Sequence, residues 1–137
     1  MTTKCYEIVT YKVKKQLEAD AARSSAQCLL KYFPGYIDWI AFSDTNDLTK
    51  RVDLVIWNSY EDALTAAKAV AHQPEFSSFR ASVSSLQSMG HYVPQEKQTP
   101  ELIKGYGIEI GRFRLKQGVQ ESKMREIYCR MVEGHLA

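Results

Sequence analysis

The chain has 137 residues, of which 45 % are apolar and 25 % charged, and its 18 basic and 16 acidic side chains leave a net charge of +2. These proportions exclude intrinsic disorder and a collagen-like repeat, and no apolar run approaches the roughly 20 residues that a bilayer requires. So small an excess of positive charge gives no reason to expect nucleic acid as a partner.

Tyr6 to Val13 is rich in β-branched and aromatic residues and predicts a first strand. From Gln16 to Tyr32 the apolar period becomes helical, with Leu17, Ala21, Cys28 and Tyr32 on one stripe, and Pro34-Gly35 stops the helix. Tyr36 to Ser43 is a second strand, Asp44-Thr45-Asn46-Asp47 a turn, and Arg51 to Trp57 a third strand, paired with the second as a hairpin. Ser59 is a good N-cap, with Asp62 at the third helical position. The helix it opens runs through Tyr60, Leu64, Ala67 and Ala71 and ends at Gln73-Pro74. Phe76, Phe79 and Val83 mark a short further helical piece, and Leu86 to Val93 a fourth strand. The order β-α-β-β-α-β is an α+β, ferredoxin-like arrangement with an antiparallel sheet.

Pro94 to Pro100 reads as a linker, Gly107 to Lys116 as a fifth strand, and Val119 to Val132 as an amphipathic helix. The fifth strand echoes the first: Glu7 matches Glu109, Ile8 matches Ile110, Lys14 matches Lys116, all at an offset of 102. Fixed-offset similarity points to duplication. The expected division is a ferredoxin-like domain over 1–97, then a linker and a partial second β-α repeat over 98–137, cut short where its second strand would begin.

Cys5, Cys28 and Cys129 are odd in number and far apart, with no metal-ligand or CxxC spacing, so each reads as a small buried hydrophobe. Met1-Thr2-Thr3-Lys4 lacks the apolar stretch of a signal peptide, and a cytoplasmic location is expected. His72, in the last turn of a helix, suits the helix dipole and a structural role.

Four segments, Tyr6 to Val13, Phe33-Pro34-Gly35-Tyr36, Val52 to Ser59 ending its strand in Trp57, and Gln73-Pro74-Glu75-Phe76, resemble the dimeric α+β barrel superfamily, in its antibiotic-biosynthesis-monooxygenase-like branch. The resemblance implies a homodimer whose two sheets face each other across an axis as a barrel, with helices outside and small apolar or aromatic ligands inside. It implies activities that range from cofactor-free oxygenation of quinols and polyketides to haem degradation and lactone isomerisation. Haem degradation in this superfamily relies on an Asn, a Trp and a His ligand, whereas Thr10 or a neighbour stands where the Asn belongs and Glu75 to Arg80 offers no His. No GxGxxG, P-loop, HExxH or GxSxG motif occurs either, so no cofactor and no metal is expected, nor any membrane partner.

Strand alternation puts Glu7, Val9, Tyr11 and Val13 on one face, Asp53, Val55 and Trp57 on one face, and Met89 and His91 opposite Leu86 and Ser88. Convergence of Glu7, Asp53 and His91 inside the barrel gives candidate catalytic groups in an apolar pocket, where a desolvated carboxylate suits a general base. Tyr11, Trp39 and Trp57 are the candidate substrate-binding aromatics. Against these stand structural readings: Glu7 paired with a basic neighbour, Asp53 paired with Arg51 or capping a hairpin, His91 at a strand end, and the tryptophans as core. The leading expectation is a small-molecule-binding protein with cofactor-independent monooxygenase activity on an aromatic, quinol or polyketide-like substrate. The alternatives are a non-catalytic barrel plugged by Tyr11, Trp39 and Trp57, and an isomerase or lyase using Glu7 or His91 as base. An enclosed volume of a few hundred Å³ decides between binding and plugging.

Overall fold

A computed structural model describes residues 3–94 and the single residue Gly111. The chain divides into two units, Met1–Lys104 and Gly105–Ala137, and the first carries every described element. Apart from Gly111, the expected fifth strand, the C-terminal amphipathic helix and residues 95–100 of the linker lie outside the described residues.

The element order is β1 (Cys5–Val13), α1 (Gln16–Leu30), β2 (Tyr36–Ser43), β3 (Lys50–Trp57), α2 (Tyr60–His72), a 3-10 turn (Pro74–Phe76), α3 (Ser77–Ser82) and β4 (Val83–Tyr92). The sheet is antiparallel with order β2-β3-β1-β4, the ferredoxin-like arrangement expected from the sequence. Each boundary has a local cause. Gly35 follows Pro34 with φ +79, and Ser59 accepts a hydrogen bond from the Asp62 backbone N–H at 3.1 Å. Gln73 is extended before Pro74, and Pro74 opens the 3-10 turn.

Helix α1 departs from expectation. Its buried residues are Ala19, Ala22, Arg23, Ala26 and Leu30, whereas Leu17 and Tyr32 are 85 % and 81 % exposed and Cys28 is exposed too. Three alanines let the helix approach the sheet closely, and Arg23 finds a partner there that outweighs the burial of Leu17. Of the described cysteines only Cys5 is buried as predicted.

One sheet face bears Cys5, Tyr11, Val13, Trp39, Val55 and Trp57, which join residues of α1, α2, Phe76 and Phe79 in two buried apolar clusters. The opposite face carries Tyr6, Ile8, Ile40, Phe42, Leu54 and Ile56, none of which belongs to either cluster.

Strand β4 holds a second correction. Met89 pairs with Val9, Ser88 with Thr10, but Leu86 with Tyr11, so the ladder slips by one residue. This bulge at Gln87 reverses the alternation, and Leu86 joins Met89 on the helix-covered face instead of opposing it.

Candidate functional site

A cavity of about 310 Å³ lies between the sheet and the helices of a single chain. Its walls come from Glu7, Val9 and Tyr11 of β1, Trp39 of β2, Asp53, Val55 and Trp57 of β3, alanines and Val70 of α2, Phe79 and Arg80 of α3, and Val83, Leu86 and Met89 of β4. The sequence placed such a space between two sheets of a dimer; the helices instead cover the face that bears the polar groups. Phe79 supports one end, meeting Tyr11 and Trp39 edge-on with ring centroids 6.0 Å and 5.8 Å away. Trp57 is held edge-on by Tyr36 at 5.8 Å. The three aromatics wall the space without filling it. Leu86 and Met89 are exposed and form its rim.

Two acidic groups face the cavity, and their surroundings differ. Asp53 is buried and bonded through both oxygens: Tyr11 OH donates to Oδ2 at 2.8 Å and Arg23 Nε to Oδ1 at 2.8 Å, while Arg23 Nη2 also donates to Oδ1. The same Nη2 reaches the Phe42 and Val52 carbonyls, each at 2.9 Å. Burial pushes the Asp53 carboxyl up and Arg23 pulls it down. A guanidinium cannot give up its proton, so the positive charge beside Asp53 is permanent. The Trp39 indole N–H leans on this carboxylate electrostatically, yet its nitrogen has no acceptor within hydrogen-bond geometry. Burial, reinforced by the Asp53 charge, pushes the Tyr11 phenol far above its ordinary value, so Tyr11 stays a neutral donor. Asp53 is thus held by Arg23, not by Arg51, which bonds Asp20 at 2.7 Å and the Leu48 carbonyl at 2.8 Å. These bonds give Asp53 a structural role and leave it no free oxygen for proton transfer.

Glu7 has the other environment. Its Oε2 meets His91 Nε2 at 2.8 Å across the β1–β4 ladder, where the two residues are register partners. Burial pushes the Glu7 carboxyl above the ordinary glutamate value; the His91 hydrogen bond and charge pull it back, and Asp53 adds to the rise. Glu7 faces the cavity, whereas His91 stands behind it, outside the wall. Of the three expected catalytic groups, then, Glu7 and Asp53 meet the cavity and His91 touches it only through Glu7. Neighbouring Cys5 has its thiol pushed up by burial and by the Glu7 charge, which makes it a poor nucleophile.

Sequence reasoning missed Arg23 and Arg80. Arg23 was legible as a charge inside the Ala19, Ala22, Ala26 stripe, since a buried Arg requires a partner. Arg80 Nη1 donates to the Val70 and Gln73 carbonyls at 2.6 Å and 2.8 Å, closing the C-terminus of α2 with a cation on the cavity wall. No three metal-ligating side chains cluster among the described residues, and none of the described helices is long and apolar enough to cross a membrane.

No protein-family profile and no curated protein matches the chain. Solved structures do match. SnoaB, a cofactor-independent oxygenase from Streptomyces nogalater, is similar with a TM-score of 0.56 at 14 % identity, over 72 % of this chain and 97 % of its own. A candidate antibiotic biosynthesis monooxygenase from Bordetella bronchiseptica is similar with a TM-score of 0.58 at 14 % identity, over 71 % of this chain and 100 % of its own. A further candidate of that kind, from Nitrosomonas europaea, has a TM-score of 0.57 at 13 % identity, over 72 % of this chain and 97 % of its own. At 13–14 % identity these likenesses show a shared α+β, ferredoxin-like fold. Fold alone assigns no reaction.

Proposed function

We propose that the chain is a small-molecule-binding protein and a cofactor-independent monooxygenase, acting on an aromatic, quinol or polyketide-like substrate. The observation that carries this reading is the cavity itself: about 310 Å³, walled by Tyr11, Trp39 and Trp57, with one carboxylate, Glu7, left available. That volume sits at the small end of ligand pockets, about 300–1,000 Å³, and favours a compact aromatic. The likeness in fold to an oxygenase that needs no cofactor supports the same reading.

Glu7 takes the proton of a substrate hydroxyl, leaving an electron-rich anion that reduces dioxygen. Where a ring methylene becomes a carbonyl, one oxygen atom enters the substrate and the other leaves as water, so the substrate supplies all the electrons. The apolar walls keep water from the anion, and the Asp53–Arg23 pair holds the cavity floor rigid. The face with the part-exposed Tyr6, Ile8, Ile40 and Phe42 is the proposed homodimer surface, and the cytoplasm the proposed location. Solution scattering should report a dimer, and a monomer well above micromolar concentration contradicts that part.

Dioxygen uptake with a panel of quinols tests the reaction. Uptake that Glu7→Gln abolishes is expected. No uptake, with turnover of an enolisable lactone, would assign the same base to an isomerase instead.

A further inference from the structure

We infer that the proton acceptor of this cavity is the Glu7–His91 pair and not Glu7 alone, with His91 as the relay residue through which a ligand's proton reaches solvent beside Tyr60. This rests on the reading of Glu7 as the base.

Three placements carry it. Glu7 faces the cavity, and its Oε2 is 2.8 Å from His91 Nε2. His91 lies outside the cavity wall, and its side chain keeps 16 % exposure against 10 % for Glu7, so the pair leads from the cavity toward water. Beyond His91 stands Tyr60, the first residue of α2, with its ring edge-on to the imidazole at 5.4 Å and 76°, and half exposed.

The other ionisable groups nearby are otherwise engaged. Asp53 on β3 faces Glu7 but is bonded to Tyr11 and to Arg23 of α1. Cys5 on β1 is buried with its thiol pushed up, under the charges of Glu7 and of Glu61 on α2. Arg80 on α3 lies on the cavity wall, tied to the α2 carbonyls.

The step balances without any oxidant. The ligand O–H bond breaks, an O–H bond forms on Glu7, and the ligand becomes an oxyanion. The pair gains one positive charge as the ligand gains one negative charge. The proton then resides on Glu7 or on His91, and the ring nitrogen turned away from Glu7 exchanges it with water. Two sites for one proton give the pair a higher affinity than either microstate alone.

The probe is para-nitrophenol, whose phenolate absorbs visible light, titrated into the full chain across pH. His91→Gln keeps a donor facing Glu7 but removes the second proton site. It is expected to bind less of the probe as phenolate at neutral pH than the wild type does. His91→Ala should lose the phenolate signal and regain it on addition of imidazole, which a merely structural histidine would not show. If both His91 variants titrate like the wild type while Glu7→Gln binds only the neutral phenol, the relay is overturned and Glu7 stands as sole base. If Glu7→Gln also titrates like the wild type, or the wild type binds no probe, the reading of Glu7 as base fails and the relay with it.

Discussion

Arg23 on α1 and Asp53 on β3 form a buried ion pair that fastens the helix to the sheet, with the Tyr11 phenol completing the shell of the carboxylate. A buried charge left without its partner is far costlier than the intact pair is stabilising. Arg23→Met should therefore destabilise the fold by about 3–5 kcal/mol. Adding Asp53→Leu to that variant should recover most of the loss. Urea denaturation of the single and double variants measures both, and equal stability of the two contradicts the account.

The pH dependence of stability has a definite sign. Glu7 and Asp53 both hold their protons more tightly in the folded chain than their ordinary values allow, chiefly because they are buried. Groups raised in this way stabilise the fold below their unfolded values, and that contribution is lost as pH rises through the folded ones. The loss should begin near pH ~4, where free carboxylates titrate. Glu7→Gln removes its share, so the melting temperature of the variant relative to wild type should climb between pH ~4 and pH ~7. A constant difference across that window contradicts the burial of Glu7 as an ionisable group.

Gly35 joins α1 to β2 at φ +79, and a Cβ there would run into the Asp62 side chain in the first turn of α2. Its carbonyl also accepts from the Asn58 backbone N–H at 2.8 Å. Gly35→Ala should cost about 1–3 kcal/mol, the range for a non-glycine residue held in a sparsely populated backbone region. Thermal unfolding at fixed protein concentration checks it.

Ala67 lines the cavity from α2. Ala67→Phe places a ring in open space, so it should block ligand binding while changing stability by less than the about 1–3 kcal/mol of overpacking a filled core. Quenching of tryptophan fluorescence by a hydroxynaphthalene, expected in the wild type and absent in the variant, measures the block. Undiminished quenching in a folded variant places the ligand elsewhere.

The sequence discloses those parts of the fold that local chemistry decides. Pro34-Gly35, the Asp44 to Asp47 turn, the Ser59 cap and Pro74 each end or start an element where expected. The buried face of α1 was hidden because two stripes overlap on it, and the apolar one with Leu17 and Tyr32 lost to the alanine stripe with Arg23. What decided it was a charge on β3, distant along the chain. The Leu86 side was hidden because a single inserted residue in β4 reverses alternation, and nothing local at Gln87 marks the bulge. Glu7 and Asp53 look alike as strand carboxylates. Only their cross-strand and helix partners, His91 and Arg23, separate a group open to proton transfer from one locked in place.

The central claim is that a small aromatic ligand binds between the sheet and the helices of one chain, with its hydroxyl at Glu7. A crystal structure of the protein soaked with a hydroxynaphthalene tests this most directly. The account predicts the ring among Tyr11, Trp39 and Trp57, with its oxygen about 2.6–3.2 Å from a Glu7 carboxylate oxygen. A ligand found only on the opposite sheet face, beside Ile8 and Leu54, would contradict it.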